Sequence, residues 1–169
     1  LGEAMKVLRA GSYTREDGTT VTVPSGATIY LKQDFAETVS VPAVTFTLDL
    51  NGHTLTTAKA NATIFTLVSG ANMTLRDTAG PIAHKSATGA LTLHESYATG
   101  RGFDVQAGAS LTIAGGQLTG FTMANQTGPA IYCEGDLTIT GGSVTDNAYT
   151  GKAESGVIRV NNKDSVVSI

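Results

Sequence analysis

Phe103-Asp-Val-Gln-Ala-Gly-Ala-Ser-Leu-Thr-Ile-Ala-Gly-Gly-Gln-Leu-Thr119 is two short alternating runs hinged at Gly108-Ala109. Apolar residues at every second position mark strands that bury one face. The same pattern returns along the chain. Val21, Val23, Gly26, Ala27, Ile29 and Leu31 can be laid on Phe103, Val105, Gly108, Ala109, Leu111 and Ile113. Phe65, Leu67, Gly70, Ala71, Met73 and Leu75 fit the same positions, and Ile131 to Ile139 fits after one deletion in the turn. The second half recurs as Leu48-Asp-Leu50-Asn-Gly-His-Thr-Leu55, Leu111-Thr-Ile113-Ala-Gly-Gly-Gln-Leu118 and Leu137-Thr-Ile139-Thr-Gly-Gly-Ser-Val144.

Repeats of this kind decide the architecture before any other signal, because each unit can bury its apolar face only against its neighbours. Repeat starts at Phe65, Phe103, Ile131 and Ile158 lie 38, 28 and 27 residues apart. A period in the middle twenties with three strands per period predicts a parallel coil in which each turn stacks on the last. The expected fold is all-β: a right-handed parallel β-helix of about five coils, forming one domain over residues 1–169. The long interval predicts an insertion over 77–101, containing Gly80-Pro81 and a small strand of its own near Ala90–Leu93. At the start, Leu1, Ala4, Met5 and Leu8 recur at helical spacing opposite Glu3, Lys6 and Arg9, and Gly11 supplies a stop. Residues 1–11 therefore read as a helix capping the open end of the core.

Composition narrows the partners. Charged residues are 15% of the 169, there are 20 glycines, and the formal net charge is −3. No stretch gathers Lys or Arg into the basic stripe that nucleic acid demands. No apolar run is long enough for a membrane span. The one cysteine, Cys133, cannot form an intrachain disulfide, and its inward position marks it as a buried thiol rather than a nucleophile. The first residue is not Met and the last four read as a strand, so the chain is expected to be part of a longer protein, and a monomer.

The run Leu48-Asp-Leu-Asn-Gly-His-Thr-Leu55 carries a resemblance, together with Gly26-Ala-Thr-Ile-Tyr-Leu31, Ser69-Gly-Ala-Asn-Met-Thr-Leu-Arg-Asp77 and Leu137-Thr-Ile-Thr-Gly-Gly142. It resembles the pectate-lyase-like parallel β-helix repeats of large surface or secreted proteins from Gram-positive bacteria, Clostridia especially. The resemblance implies a location outside the cell or on its surface. It also implies one of several functions: polysaccharide lyase, glycoside hydrolase, adhesin or passive stalk.

Candidate chemistry follows from what faces outward. A lyase of this fold would need a cationic base beside acidic groups, and a hydrolase would need paired carboxylates. The outward positions of the second template strand are Thr28 and Tyr30, Asn72 and Thr74, Ser110 and Thr112, Asp136 and Thr138. These are hydroxyls with one carboxylate, so no residue is assigned as catalytic. Thr74, Thr112 and Thr138 form a ladder of the kind ice-binding solenoids use, which Tyr30 and Asp49 would interrupt. His53 follows Asn51-Gly52 and reads as part of a turn. His84, Lys85, His94, Glu95, Tyr97 and Arg101 fall within eighteen positions of the insertion, and protruding loops on rigid scaffolds are where ligands bind. They are the candidate ligand-binding residues. Two histidines ten apart give no metal spacing. Asp146-Asn147 and Asn161-Asn162 resemble calcium-binding turns without the repeat that would accompany them, so no cofactor is assigned. The leading expectation is a non-catalytic stalk or adhesin presenting a binding surface to a host protein or glycan, and the competing one is a polysaccharide-active enzyme.

Overall fold

The computed structural model describes residues 1–78, 88–123, 129–149 and 157–169. It is mostly β-structure with one α-helix, and the strands join into parallel sheets. Three ladders organise them, each entered in the same order as the chain advances. The first ladder stacks Ala27–Tyr30, Thr45–Asp49, Asn72–Arg76, the start of Ser110–Thr119, the start of Asp136–Thr145, and Val167–Ser168. The second stacks Phe35–Ala36, Thr54–Thr56, Ala90–Thr92 and the ends of the same two ten-residue strands. The third stacks Val39–Val41, Ala62–Leu67, Gly100–Val105, Ile131–Cys133 and Ile158–Val160.

Parallel register places each inward side chain on its counterpart. Ala27, Phe46, Met73, Leu111 and Leu137 form one inward file. Phe35, Leu55, Leu91, Leu118 and Val144 form another. Val39, Phe65, Phe103, Ile131 and Ile158 form a third, in which the Phe65 and Phe103 rings stack with centroids 5.5 Å apart. The buried members merge into a single apolar core. At roughly 1.5–3 kcal/mol per buried large side chain, that core is the main force for folding.

Bends between ladders need special backbone. Ser110–Thr119 serves the first ladder and then the second by turning at Gly115-Gly116. Gly116 has φ 82°, and a Cβ there would lie 2.8 Å from the Leu50 side chain. Gly135 sits where a Cβ would be 2.1 Å from the Ala109 carbonyl.

The helix runs Gly2–Ala10 and ends at Gly11 in the left-handed conformation, whose N–H caps Leu8 and Val7 carbonyls. Its Met5 is buried, and Leu1 and Leu8 lie against the core.

Three expectations need correction. Val21 and Val23 do not belong to a ladder: Thr20–Thr22 pairs antiparallel with Ser12–Thr14, a hairpin that the Asp17-Gly18 turn closes. Val39–Val41 takes the place assigned to them. The first two passes are also shifted by two residues. Ala27 and Phe46, not Ile29 and Leu48, stand in the file of Leu111, while Leu48 stands with Leu75 and Ile113. In the first pass the file begins at Ala27, directly after Gly26, where Met73 and Leu111 stand three residues after Gly70 and Gly108; in the second, Phe46 lies nine residues before Leu55, where Leu111 lies seven before Leu118. Finally, Ala90–Thr92 lies between Thr54–Thr56 and Gln117–Thr119 as a rung of the second ladder, because Leu91 continues that ladder's inward alternation. By contrast, Phe65, Phe103, Ile131 and Ile158 stand in one file, in the register the repeat implied.

Leu111→Ala should lower the unfolding free energy by about 2–5 kcal/mol in urea titration, because it opens a void between two filled rungs. Val166→Ala, at a side chain 63% exposed, should change it by less than about 0.5 kcal/mol. Equal effects would contradict the stacked core.

Candidate functional site

The side chains predicted to bind a ligand fall into two places. His94, Glu95 and Tyr97 follow the rung Ala90–Thr92 where the chain leaves the second ladder. His94 N–H donates to the hydroxyl of buried Thr57, and Tyr97 OH donates to Ala58 O at 3.0 Å, tying this corner to the preceding one. The His94 and Tyr97 rings lie 5.1 Å apart, tilted by 40°. His94 Nδ1 accepts from Ser96 N–H, so the neutral imidazole carries its proton on Nε2. His84 and Lys85 lie outside the described residues.

His94 and Glu95 form one wall of a groove of about 410 Å³. Thr54, Thr56, Thr92 and Leu93 line it as well, together with Asp34, Phe35 and Ala36. That volume is in the range of small-ligand clefts. Asp34 accepts from Thr54 N–H at 3.0 Å and faces His53 Nδ1 at 3.2 Å. His53 is buried in its turn, with its N–H on Leu50 O and its carbonyl accepting from Ala90 N–H, as its position after Asn51-Gly52 implied.

Arg101 is elsewhere, on the outer surface of the third ladder. Its guanidinium lies 3.8 Å from Asp104 and 5.4 Å from the centre of the Tyr132 ring. Tyr132 OH donates to Glu134 at 2.9 Å and accepts from Asn161 Nδ2 at 2.8 Å, and Arg159 reaches Asn161 Oδ1 at 3.3 Å. Burial pushes the Asp104 carboxyl up from its ordinary 3.8, and the charge of Glu134 adds to this while Arg101 opposes it. Burial likewise raises the Tyr132 phenol, with the Glu134 contact adding, and lowers Arg101 against the pull of Asp104.

Sequence reasoning missed Asp104, Tyr132, Glu134 and Arg159, and read Asn161 as a turn residue. The signal was present: Asp104, Tyr132 and Arg159 each occupy the outward position between two inward residues of the first template strand, and register stacks them. This chemistry lies at outward positions of the first template strand, not at those of the second. Those positions carry a longer hydroxyl file than expected. Thr28, Thr47, Thr74, Thr112, Thr138 and Ser168 stand in one unbroken row, while Tyr30, Asp49 and Arg76 form a separate row beside it. The ladder is therefore not interrupted.

The paired Asp and Asn turns hold the backbone. Asn147 donates to Leu118 O and accepts from Phe121 N–H, and Asn162 donates to Glu134 O, each bridging to the preceding pass. Among the described residues, no group of three or more His, Cys, Asp or Glu side chains converges to hold a metal ion. Cys133 is buried and its thiol, raised by burial, donates to Gly135 O. No helix among the described residues is long and apolar enough to cross a membrane.

Comparison with known proteins gives no match to a family model, to a curated protein or to a solved structure.

One further cluster is polar and buried. Asp49, fully buried, accepts from Thr78 N–H, the Thr78 hydroxyl, Asn51 N–H and Arg76 Nε. Burial alone would push this carboxyl up, but the four donors outweigh it and hold it below 3.8. Its stabilising effect is therefore complete above pH 3.8 and is lost as pH falls through the lowered value. Asp104 has the opposite sign: its raised value favours the folded state at low pH, and that advantage is lost as pH rises. In urea unfolding between about pH 3 and pH 7, wild type should lose stability relative to Asp49→Asn as pH falls. Over the same range it should gain relative to Asp104→Asn. The same sign for both would contradict these environments.

Proposed function

We propose that the chain is a right-handed parallel β-helix of about five coils, similar to the pectate-lyase-like repeat regions of Gram-positive bacterial surface proteins. We further propose that it acts as a non-catalytic module, a rigid stalk or adhesin outside the cell, presenting a binding surface to a glycan. Support for the coil is the order of the ladders: first, second and third are visited in that sequence, five times over. Right-handed crossovers join about 98% of parallel strands in one sheet, which supports the hand.

The observation that supports the glycan reading is the groove at His94. Its lining combines threonine hydroxyls, two carboxylates and an imidazole with the apolar side chains of Phe35, Ala36 and Leu93, and the Tyr97 ring lies beside His94. Polar groups interspersed with apolar side chains in a shallow cleft suit a ligand whose surface is hydroxyls and C–H faces. The loop that forms it is fixed by Thr57 and Ala58 rather than left to order on binding, which lowers the entropic cost of capture.

A specific observation favours the competing reading of a polysaccharide-active enzyme. Arg101, Asp104 and Glu134 form the cation-and-carboxylate set that the second template strand lacked, and Asp104 has the raised carboxyl of a proton donor. Arg101, however, has a side chain only 17% exposed and covered by Tyr132, so it meets no substrate without rearrangement.

An array of glycans and proteins probed with the chain should give glycan hits, weakened at least about tenfold by His94→Ala or Glu95→Ala with thermal stability retained. Protein hits alone, or binding untouched by both changes, would overturn the groove reading. Release of products from a panel of polymers, abolished by Arg101→Ala, would establish the enzyme instead.

A further inference from the structure

Asn51-Gly52 is the one Asn-Gly pair in the chain, and such pairs are the backbone sites most prone to deamidation. Glycine puts no side chain in the way of its own nitrogen. The reaction is intramolecular. Gly52 nitrogen loses its proton and attacks Asn51 Cγ, Nδ2 leaves as ammonia, and water opens the resulting succinimide at either carbonyl. One water is consumed, one ammonia is released, and residue 51 becomes aspartate or isoaspartate.

Each step meets an obstacle here. Gly52 N–H donates to Asp77 Oδ1 at 2.8 Å, and the other carboxylate oxygen accepts from Gly89 N–H at 2.7 Å. Deprotonating Gly52 would set an amide anion against a carboxylate, and like charge raises the cost of ionisation. Asn51 Nδ2 is held on Leu31 O at 3.0 Å, which draws the departing amide toward the preceding strand. Asn51 Oδ1, where negative charge would collect during attack, is buried and has no hydrogen-bond donor among the described residues. An addition intermediate without such a donor forgoes the main source of its stabilisation. The residue is 1% exposed, so water for ring opening is excluded as well.

Asp77 is closely seated. A Cβ on Gly89 would meet its Oδ1 at 2.6 Å, and a Cβ on Gly115 would meet its backbone nitrogen at 2.9 Å, so glycines are required to admit it. We propose that Asn51-Gly52 is a latent deamidation site and that the Asp77 carboxylate, seated between Gly52 and Gly89, is the group that keeps it intact. The product would damage the fold. An acid at position 51 would turn a donor to Leu31 O into an acceptor, and isoaspartate would lengthen the backbone at a turn where Asn51 has φ 51°.

The test is ageing at pH 8 and below the melting temperature, followed by peptide mass spectrometry for the amide-to-acid change and for isoaspartate at residue 51. Wild type should convert far more slowly than the same chain in urea. Asp77→Asn removes the charge and should convert at least about tenfold faster than wild type while still folded, the effect of one pKa unit on the Gly52 amide. Asp77→Ser serves the same purpose if the larger amide prevents folding. Ile131→Ala, destabilised in the buried file of the third ladder between Phe103 and Ile158, separates guarding from general loosening and should convert like wild type. A folded Asp77 variant that converts as slowly as wild type would overturn the proposal, as would Ile131→Ala converting as fast as the Asp77 variants.

Discussion

Backbone hydrogen bonding between successive passes of the chain is the constraint from which the rest follows. Once a parallel strand lies on its predecessor in register, every inward side chain must rest on its counterpart, and every outward one must stand in a row with its own. The inward rows then have to be apolar along their whole length, and they are: Phe46, Met73, Leu111 and Leu137 in one, Phe65, Phe103 and Ile131 in another. A single pass has no second layer to bury its apolar face, so stability belongs to the stack and not to any one turn of chain.

The same constraint sorts polar chemistry onto the outside and the corners. Outward rows are monotonous where β-propensity decides them, as in the threonine file from Thr28 to Thr138. They become varied in the row of Tyr30, Asp49 and Arg76 and on the third ladder, where Asp104, Tyr132 and Arg159 succeed one another. Corners have no ladder partner for their amides, and side chains supply it. Asp49, Asp77 and Asp34 accept from backbone N–H groups, while Asn51, Asn147 and Asn162 donate to carbonyls of the pass before. Residue types usually read as metal or acid–base signals are thus engaged in holding turns.

The repeat was legible because period-two alternation survives translation into structure wherever the turns keep their length. From Phe65 to Met73 and from Phe103 to Leu111 they do, both pairs being eight residues apart, and the register there could be read directly. It failed at Ala27 because alignment on the Gly-Ala turn assumes a fixed distance from turn to strand, and at Phe46 because two more residues separate it from Leu55 than separate Leu111 from Leu118. His94, Glu95 and Tyr97 were recognisable as a cluster because they are close in sequence. Arg101 was grouped with them for the same reason, yet a strand carries it onto another face. Asp104 and Tyr132 are 28 residues apart and meet only through the ladder, so proximity along the chain could not show them.

Cross-linking across one rung pair tests the stacking most directly. Thr112 and Thr138 are register partners with outward side chains, and adjacent strands lie about 4.8 Å apart, within the span a disulfide bridges. The double variant Thr112→Cys, Thr138→Cys should close a disulfide under mild oxidation, with melting temperature maintained or raised. Pairing Thr112→Cys with Ser168→Cys, two rungs away, should close none. Ready closure of the distant pair and none of the adjacent one would contradict the stacked parallel register on which the whole account stands.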